Sequence, residues 1–225
     1  MHPLIAQAKL LAYDLDGTLI DSVPDLAKAV DQVLIDLERE PAGITNVRQW
    51  VGNGSEALIK RALCNDVKGD QLLKSNDPLF EQAHQLFFQH YDRCKGQQTR
   101  CYQGIFPLLE CAQEAHLTQV LITNKPYRFV PEILSALKLE PFFAMVIGGD
   151  SLPEKKPSAY PLLHVCRVLN IDPSQAVMIG DSITDINAGK AAGFKTIAVR
   201  YGYDHGIPVD QCGADLVVDS LAELV

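Results

Sequence analysis

Asp14 and Asp16 stand where an apolar run, residues 10–13, gives way to a glycine and a threonine. The composition of that run is typical of a buried strand. Carboxylates at the end of a buried strand are costly unless a cation or a reaction uses their charge. The pair therefore predicts a functional site at this strand end, with partners elsewhere in the chain.

Polar residues of complementary kinds follow three more apolar runs: Thr123 with Asn124, Lys155 with Lys156, and Asp181 with Asp185. In a parallel sheet the carboxyl ends of the strands lie at one edge, and ligands bind there. Carboxylates that converge at one point repel each other, but they are favourable ligands for a hard divalent cation such as Mg²⁺. We therefore expect a Mg²⁺ site at this edge.

The elements that would position these residues are six short apolar runs and the helical patterns between them. The runs lie at 9–16, 118–124, 142–150, 176–181, 195–200 and 214–220, and the helical patterns at 105–116, 128–138, 157–169 and 185–192. Such alternation predicts βαβ units, and near-continuous apolar strands are typical of a sheet covered on both faces. The expected fold class is α/β, with a Rossmann-like parallel sheet and helices on both faces.

One segment, residues 21–94, interrupts the alternation. It contains no convincing strand and at least three helical patterns, at 26–37, 55–64 and 79–87. In the first of these, apolar side chains recur on one helical face, and Pro24 suits a first turn. We expect an all-helical cap domain at 21–94, inserted into a catalytic core formed by residues 1–20 and 95–225.

The composition argues against several classes of protein. The formal net charge of −8 disfavours a nucleic-acid partner. No apolar run approaches the roughly 18 residues of a membrane span, and the first residues lack the pattern of an export signal. The six cysteines show no metal-ligand spacing, so we expect reduced thiols in a cytoplasmic protein. The expected partner is a small molecule, and monomer and homodimer both remain open.

Four short motifs, taken together and in order, are highly specific: "DLDGTL" at 14–19, "TN" at 123–124, "KKP" at 155–157 and "GDSITD" at 180–185. They resemble the four motifs of the haloacid dehalogenase-like phosphatase superfamily. The resemblance spans the whole chain, because that superfamily places a helical cap where the insert lies. Further stretches, among them "WVGNG", "TNKP" and "YGY", are similar to those of bacterial phosphoglycolate phosphatases, which implies 2-phosphoglycolate as the substrate.

The residue types predict a mechanism, and the resemblance implies the same roles. Asp14 would attack phosphorus and form an aspartyl-phosphate, and Asp16 would act as general acid and then as general base. Mg²⁺ would be held by Asp14, by the backbone carbonyl of Asp16 and by Asp181. The expected reaction is a Mg²⁺-dependent hydrolysis of a phosphate monoester.

Four more residues complete the predicted core of the site. Thr123 and Asn124 would donate hydrogen bonds to phosphoryl oxygens, Asn124 through its backbone, and Lys156 would pair with the nucleophile and the phosphate. Asp185 would orient Lys156 or a metal-bound water. The alternative is that Asp185 is only the N-cap of the following helix, and both roles can hold together. Lys155 is expected to be solvated.

The loop "WVGNG" is the predicted contact between the cap and the leaving group. Gly52 and Gly54 precede a helix start, where free backbone amides suit an anion. Lys125 is a second candidate for the substrate's carboxylate, and three basic residues of the cap could add charge: Arg48, Lys60 and Arg61. The alternative is that the two glycines form only a tight turn with solvated basic neighbours.

Other functions stay open at this point. Within enzymes they are a phosphatase for a sugar phosphate or a nucleotide, and a phosphosugar mutase, whose phospho-enzyme must survive water. From another class, an aspartyl-phosphate receiver module also places acidic residues at strand ends, although it needs no cap. A dehalogenase is disfavoured, since its chemistry requires neither a carboxylate at position 16 nor a metal.

Overall fold

A computed structural model describes residues 1–203 and 207–225 of the chain. The strands in this part are β1 (Leu10–Tyr13), β2 (Ile20–Asp21), β3 (Arg100–Cys101), β4 (Thr118–Ile122), β5 (Met145–Ile147), β6 (Ala176–Gly180), β7 (Lys195–Val199) and β8 (Leu216–Val218). The α-helices are α1 (Pro3–Ala6), α2 (Val23–Asp36), α3 (Gly43–Trp50), α4 (Ser55–Cys64), α5 (Gly69–Leu72), α6 (Pro78–Cys94), α7 (Ile105–Glu114), α8 (Val130–Ala136), α9 (Tyr160–Leu169) and α10 (Ile183–Ala192).

Six of these strands form one parallel sheet in the order β5-β4-β1-β6-β7-β8. Each of the six predicted apolar runs supplies one strand of this sheet. Because β1 lies between β4 and β6, the residues that follow β1 have the ends of both neighbours beside them. The predicted fold class, an α/β Rossmann-like parallel sheet, is confirmed.

Helices cover both faces of the sheet. Side chains along a strand point alternately to its two faces, so each face carries apolar side chains that helices bury. Leu11 and Tyr13 join the larger apolar cluster, which also includes buried side chains of α7 and α8. Leu10 and Ala12 join a second cluster with side chains of α9 and α10. All four residues are fully buried, and burial of a large apolar side chain stabilises a fold by about 1.5–3 kcal/mol.

Helices α2 to α6 lie between β2 and β3, and the predicted pattern at 55–64 coincides with α4. β2 and β3 pair in antiparallel fashion at the two connections between sheet and helices. The sequence showed no strand there, because a two-residue strand has no alternation to detect. We call residues 21–94 the cap and residues 1–20 with 95–225 the core. These limits remain the predicted ones.

Asp25 fixes the return from the cap to the core. Its buried carboxylate, in the first turn of α2, accepts hydrogen bonds from the backbone amides of Gln98 and Thr99 and from the Thr99 hydroxyl. The chain's entry into the cap and its return to the core are thus joined to each other twice, by the β2–β3 pair and by this carboxylate. Within the described ranges, no helix has both the length and the apolar character needed to cross a bilayer.

Candidate active site

The ends of β1 and β6 bring the predicted acidic residues to Lys156, which arrives from the loop after β5. Its Nζ lies 2.7 Å from Asp14 Oδ1 and 2.7 Å from Asp185 Oδ1. Lys156 is 2% exposed, so both pairs are shielded from water and charge-assisted. The structure therefore brings the predicted nucleophile and the predicted lysine into direct contact.

Asp181 follows β6 and is held through both oxygens. Oδ1 accepts from the Thr18 hydroxyl at 2.8 Å, and Oδ2 accepts from the backbone N–H of Tyr203 at 2.6 Å. Gly17 has a φ of 89°, and a Cβ at this position would lie 2.1 Å from Asp181 Oδ2. The glycine in "DLDGTL" is thus needed both for its left-handed backbone and for the approach of Asp181.

The cluster carries more negative than positive charge. Burial raises the pKa of Asp14 to about 7, although the ammonium group of Lys156 lowers it. Burial, with two neighbouring carboxylates, also raises the pKa of Asp181 well above its ordinary value. Four buried carboxylates here face two ammonium groups, those of Lys125 and Lys156. Full ionisation leaves two negative charges, which a divalent cation would balance.

The donor set fits a hard cation. Asp14, Asp181 and Asp185 each offer a carboxylate oxygen, and these oxygens lie within 4.8 Å of one another. Oxygen ligands suit hard divalent cations. The carboxylate of Asp16 does not belong to this group, and the contribution predicted for it, through its backbone carbonyl, stays a prediction.

Asp185 contacts Lys156, but it is not the N-cap of the helix as predicted, because the helix begins three residues earlier than that prediction requires. Helix α10 is capped by Ser182, and Asp185 stands at its third position in a capping box. Asp185 Oδ2 accepts from the Ser182 backbone N–H at 3.2 Å and from its hydroxyl at 2.8 Å. The other oxygen contacts Lys156. The cap of the helix therefore fixes the carboxylate that orients the lysine.

Asp16 is paired with Lys125, which follows β4. Lys125 Nζ lies 3.0 Å from each oxygen of Asp16, and the Ser22 hydroxyl donates to Asp16 Oδ1. Nζ also lies 4.9 Å from the centre of the Tyr91 ring, a cation–π contact with the cap. Burial lowers the pKa of Lys125, but Asp16 and Tyr91 together outweigh this effect and the net pKa is raised.

Thr123 and Asn124 follow β4 and lie beside the cluster. The Thr123 hydroxyl accepts from the backbone N–H of Lys125 at 3.2 Å. Asn124 Nδ2 donates to the carbonyl of Lys156 at 3.0 Å and to that of Gly52 at 3.3 Å. The Asn124 side chain therefore ties the strand end to the lysine loop and to the cap. Its predicted contact with phosphate was through the backbone, which this arrangement leaves available.

A pocket of about 430 Å³ opens between cap and core. Its lining combines Asp14, Asp16, Thr123, Asn124 and Lys125 with cap residues that include Gly52, Gly54, Ser55, Leu58 and Tyr91. The φ angles of Gly52 and Gly54 are 126° and 92°, which favour glycine. Lys155 is exposed, as expected, but its Nζ donates to the carbonyl of Asn53 at 3.0 Å. The cap loop thus contacts the core beside the pocket.

The family model for haloacid dehalogenase-like hydrolases matches residues 11–199 of this chain. The chain belongs to the haloacid dehalogenase-like hydrolase family. This hydrolase is 46% identical over 219 residues to a phosphoglycolate phosphatase of Psychrobacter arcticus, with 96% of this chain and 94% of the relative covered. It is 44% identical to a phosphoglycolate phosphatase of Pseudomonas putida, with 96% and 78% covered.

Solved structures agree with this assignment. The crystal structure of a predicted phosphoglycolate phosphatase from Haemophilus somnus superposes on this hydrolase with a TM-score of 0.88 at 32% identity, covering 97% of this chain and 96% of that one. The predictions of family and of enzyme class, a phosphatase, are confirmed. Members of this family generally use a metal, and the group of Asp14, Asp181 and Asp185 could hold one.

The basic residues that were candidates for a substrate carboxylate are separated by the fold of this hydrolase. Lys125 lines the pocket, whereas Arg48, Lys60 and Arg61 are not among its described lining residues. Lys60 Nζ lies 2.6 Å from Glu56 Oε1, and Arg61 Nε lies 3.2 Å from Asp70 Oδ1. These two cations are paired within the cap, and we assign them no contact with substrate.

Sequence reasoning missed four residues that contact the predicted site of this hydrolase: Thr18, Ser22, Tyr91 and Tyr203. Two of them carried a usable signal, since hydroxyls that flank an acidic pair can orient its carboxylates. Tyr203 lies in the stretch "YGY", which contributes to the family resemblance but does not by itself indicate what the tyrosine contacts. Tyr91 had no signal, because an aromatic residue on a helical apolar stripe is typical of the core.

Proposed function

We propose that this hydrolase is a Mg²⁺-dependent phosphatase that cleaves 2-phosphoglycolate to glycolate and phosphate. The observation that carries the proposal is the Asp14–Lys156 pair, 2.7 Å apart, in a cluster of which Asp14, Asp16 and Lys125 line a pocket under the cap. The names of the relatives from P. arcticus and P. putida support the substrate. This substrate has a carboxylate as well as a phosphate, and Lys125 lines the same pocket as Asp14.

The first step forms the aspartyl-phosphate. An oxygen of Asp14 attacks phosphorus, and the bond between phosphorus and the glycolate oxygen breaks. Lys156 orients Asp14 and offsets negative charge at the transferring phosphoryl group. The Thr123 hydroxyl and the backbone of Asn124 donate to its oxygens. Asp16 gives a proton to the leaving oxygen. In the second step it takes one from the water that attacks the phosphorus, the bond between phosphorus and the Asp14 oxygen breaks, and phosphate leaves.

Lys125 controls when Asp16 acts. Both oxygens of Asp16 accept from Lys125 in this structure, so before Asp16 can act as an acid the lysine must give up one of these contacts and the freed oxygen must take up a proton from water. The carboxylate of 2-phosphoglycolate is an anion that can take the place of Asp16 at Lys125. Binding of the correct substrate would thereby free Asp16 beside the leaving oxygen, and phosphate esters without a second anion would do this less well.

Mg²⁺ would be held by Asp14, Asp181 and the backbone carbonyl of Asp16. When bound, it offsets charge on the phosphoryl group and so makes attack by a carboxylate possible. Asp185 holds Lys156 beside this site. The negative charge that the two lysines do not balance then lies next to the cation. The support for this assignment is that Asp14 and Asp181 offer carboxylate oxygens in one group with Asp185, and that full ionisation of the cluster leaves two negative charges for a cation to balance.

Removal of metal tests this assignment. We expect EDTA to abolish activity, added Mg²⁺ to restore it, and Ca²⁺ to inhibit, because Ca²⁺ takes more ligands at longer distances and would displace Asp14 from its line of attack. Phosphate release with each metal measures the effect, and the unfolding temperature with and without Mg²⁺ measures binding separately. Full activity in metal-free buffer would disprove the site as described.

The substrate is tested with Lys125→Met, which removes the charge and keeps the length of the side chain. Loss of one charge-assisted hydrogen bond should lower kcat/KM for 2-phosphoglycolate by about 10- to 100-fold. The loss on p-nitrophenyl phosphate should be smaller, because that ester has no carboxylate whose binding energy could be lost. Lys60→Met is the matched control, since Lys60 and Lys125 are each 6% exposed and each pairs with an acidic residue.

Parallel losses on both esters in Lys125→Met, or an equal loss in Lys60→Met, would contradict the proposed substrate. A panel of sugar phosphates and nucleotides, ranked by kcat/KM, then identifies a better one. Release of free phosphate separates a phosphatase from a mutase. We further propose a cytoplasmic setting and no nucleic-acid partner, in keeping with the expected reduced thiols and the net charge of −8.

A further inference from the structure

Tyr203 connects the acidic cluster of the core with the start of the cap. Its backbone N–H donates to Asp181 Oδ2 at 2.6 Å, and its hydroxyl donates to Asp21 Oδ1 at 2.7 Å. The same hydroxyl accepts from the backbone N–H of Ser22 at 3.1 Å. Tyr203 is 1% exposed, so that water does not compete for these bonds. One residue thus contacts a proposed metal ligand and the entry of the chain into the cap.

Arg48 extends this connection into helix α3 of the cap. Its Nη2 lies 3.0 Å from Asp21 Oδ2, and its guanidinium carbon lies 5.4 Å from the centre of the Tyr203 ring. The ion pair is partly exposed and contributes little by itself, but the cation–π contact holds the guanidinium over a buried ring. A movement of α3 relative to the core therefore changes the contacts of Tyr203.

The backbone before Tyr203 packs directly against Asp181. A Cβ at Gly202 would lie 2.2 Å from Asp181 Cβ and 2.5 Å from the carbonyl oxygen of Gly17. Only glycine permits this approach. Because no space separates the two segments, a shift of the backbone at residues 202–203 must also displace the Asp181 side chain.

We propose that Tyr203 is a positioning residue that couples the seating of the cap to the orientation of Asp181, and thereby to Mg²⁺ binding. Asp21, Ser22 and Arg48 fix the ring and hydroxyl of Tyr203 when the cap is in place. The ring fixes the backbone N–H, and that N–H fixes one oxygen of Asp181. The inference rests on the Mg²⁺ site of the proposed function and gives a role to the second tyrosine of "YGY".

The test is Tyr203→Phe, which removes the hydroxyl and leaves the ring and the backbone N–H. Changes in groups that orient metal ligands cost about 10- to 100-fold in affinity. Since Tyr203 acts through its own backbone, we expect the lower end, a Mg²⁺ dissociation constant raised about tenfold. It is measured by titration calorimetry on the full chain without substrate. Tyr13→Phe is the matched control, since it loses a buried hydroxyl that donates to Gln119 Oε1 at 3.0 Å.

Arg48→Met provides a second variant that leaves the buried residues unchanged. It removes the ion pair and keeps an unbranched side chain over the ring, and we expect Mg²⁺ binding to weaken by about 2- to 5-fold, the range of a partly exposed ion pair. Among the described residues, Arg48 contacts none of the carboxylates of the cluster. If only its immediate neighbours orient Asp181, Mg²⁺ binding in this variant will equal that of wild type.

The outcomes separate the inference from the proposed function. Weaker Mg²⁺ binding in Tyr203→Phe and Arg48→Met, with Tyr13→Phe equal to wild type, supports the coupling. Mg²⁺ binding in Tyr203→Phe within about twofold of wild type, or weakened equally in Tyr13→Phe, overturns the inference and leaves the phosphatase proposal standing. A wild-type chain that binds no Mg²⁺ overturns both.

Discussion

Asp14→Asn is expected to abolish turnover, with a loss on the order of 10⁴-fold or more, the range for removal of a nucleophile. The amide keeps the shape of the side chain but is a poor nucleophile, and the metal site loses one charge. Lys156 retains its contact with Asp185 Oδ1 at 2.7 Å, so it is not left unpaired in the core. The measurement is phosphate release from 2-phosphoglycolate and from p-nitrophenyl phosphate.

The fold of Asp14→Asn should survive, and the sign of the expected effect on stability follows from its pKa. Burial raises the pKa of Asp14 from 3.8 to about 7, so in metal-free protein the fold loses stability as the pH rises through this interval, because the buried carboxylate must then ionise. The amide has no charge to desolvate. The unfolding temperature of the variant in EDTA at pH 8 should therefore equal or exceed that of wild type. Activity within tenfold of wild type would refute the nucleophile assignment.

The sheet and the strand-end residues were predictable because both follow from local patterns. An apolar run followed by a polar residue marks a strand end in the sequence itself, and the parallel sheet then brings these ends to one edge. Asp14, Asp181 and Lys156 meet for that reason, although 142 residues separate Asp14 from Lys156. The role of Asp185 beside Lys156 was predictable, but its place in the helix was not: the N-cap is Ser182, and Asp185 is the third residue of the capping box.

The direction of the cap's basic side chains was not predictable. Arg48, Lys60 and Arg61 flank the loop "WVGNG", but which way each points depends on how five helices pack together. Lys60 and Arg61 turned out to satisfy acidic residues within the cap. Lys60 is the exception, because Glu56 lies four residues before it on the predicted helix. Asp70 becomes a neighbour of Arg61 only through the packing of α5 on α4.

Residues that connect the two parts of the chain were the hardest to foresee. β2 and β3 are two-residue strands, and Tyr203 contacts Asp21 across 182 residues. Such contacts are set by the docking of the cap on the core, and no periodicity records them. The stretch "YGY" was visible in the sequence, but its function required knowledge of what lay opposite it.

Asp16→Asn is expected to reduce kcat by about 10²- to 10⁴-fold on 2-phosphoglycolate, the usual contribution of a positioned general acid–base group. The size of the loss should depend on the leaving group. An alkyl oxygen needs a proton as it departs, whereas p-nitrophenolate leaves readily without one. The loss on p-nitrophenyl phosphate should therefore be smaller, provided that the first step limits the rate with both esters.

Ser22→Ala is the control for this variant, because it removes one hydrogen bond to Asp16 Oδ1 and leaves the carboxylate itself in place. It should cost about tenfold, the low end of the range for a hydrogen bond to a charged group, because Lys125 still holds both oxygens of Asp16. In Asp16→Asn the amide nitrogen also repels Lys125, so Lys125→Met should be combined with it. If Asp16 acts only by holding Lys125, the double variant will match Lys125→Met on both esters. If Asp16 transfers the proton, the dependence on the leaving group will persist after the lysine is gone, because it belongs to the chemistry at the departing oxygen.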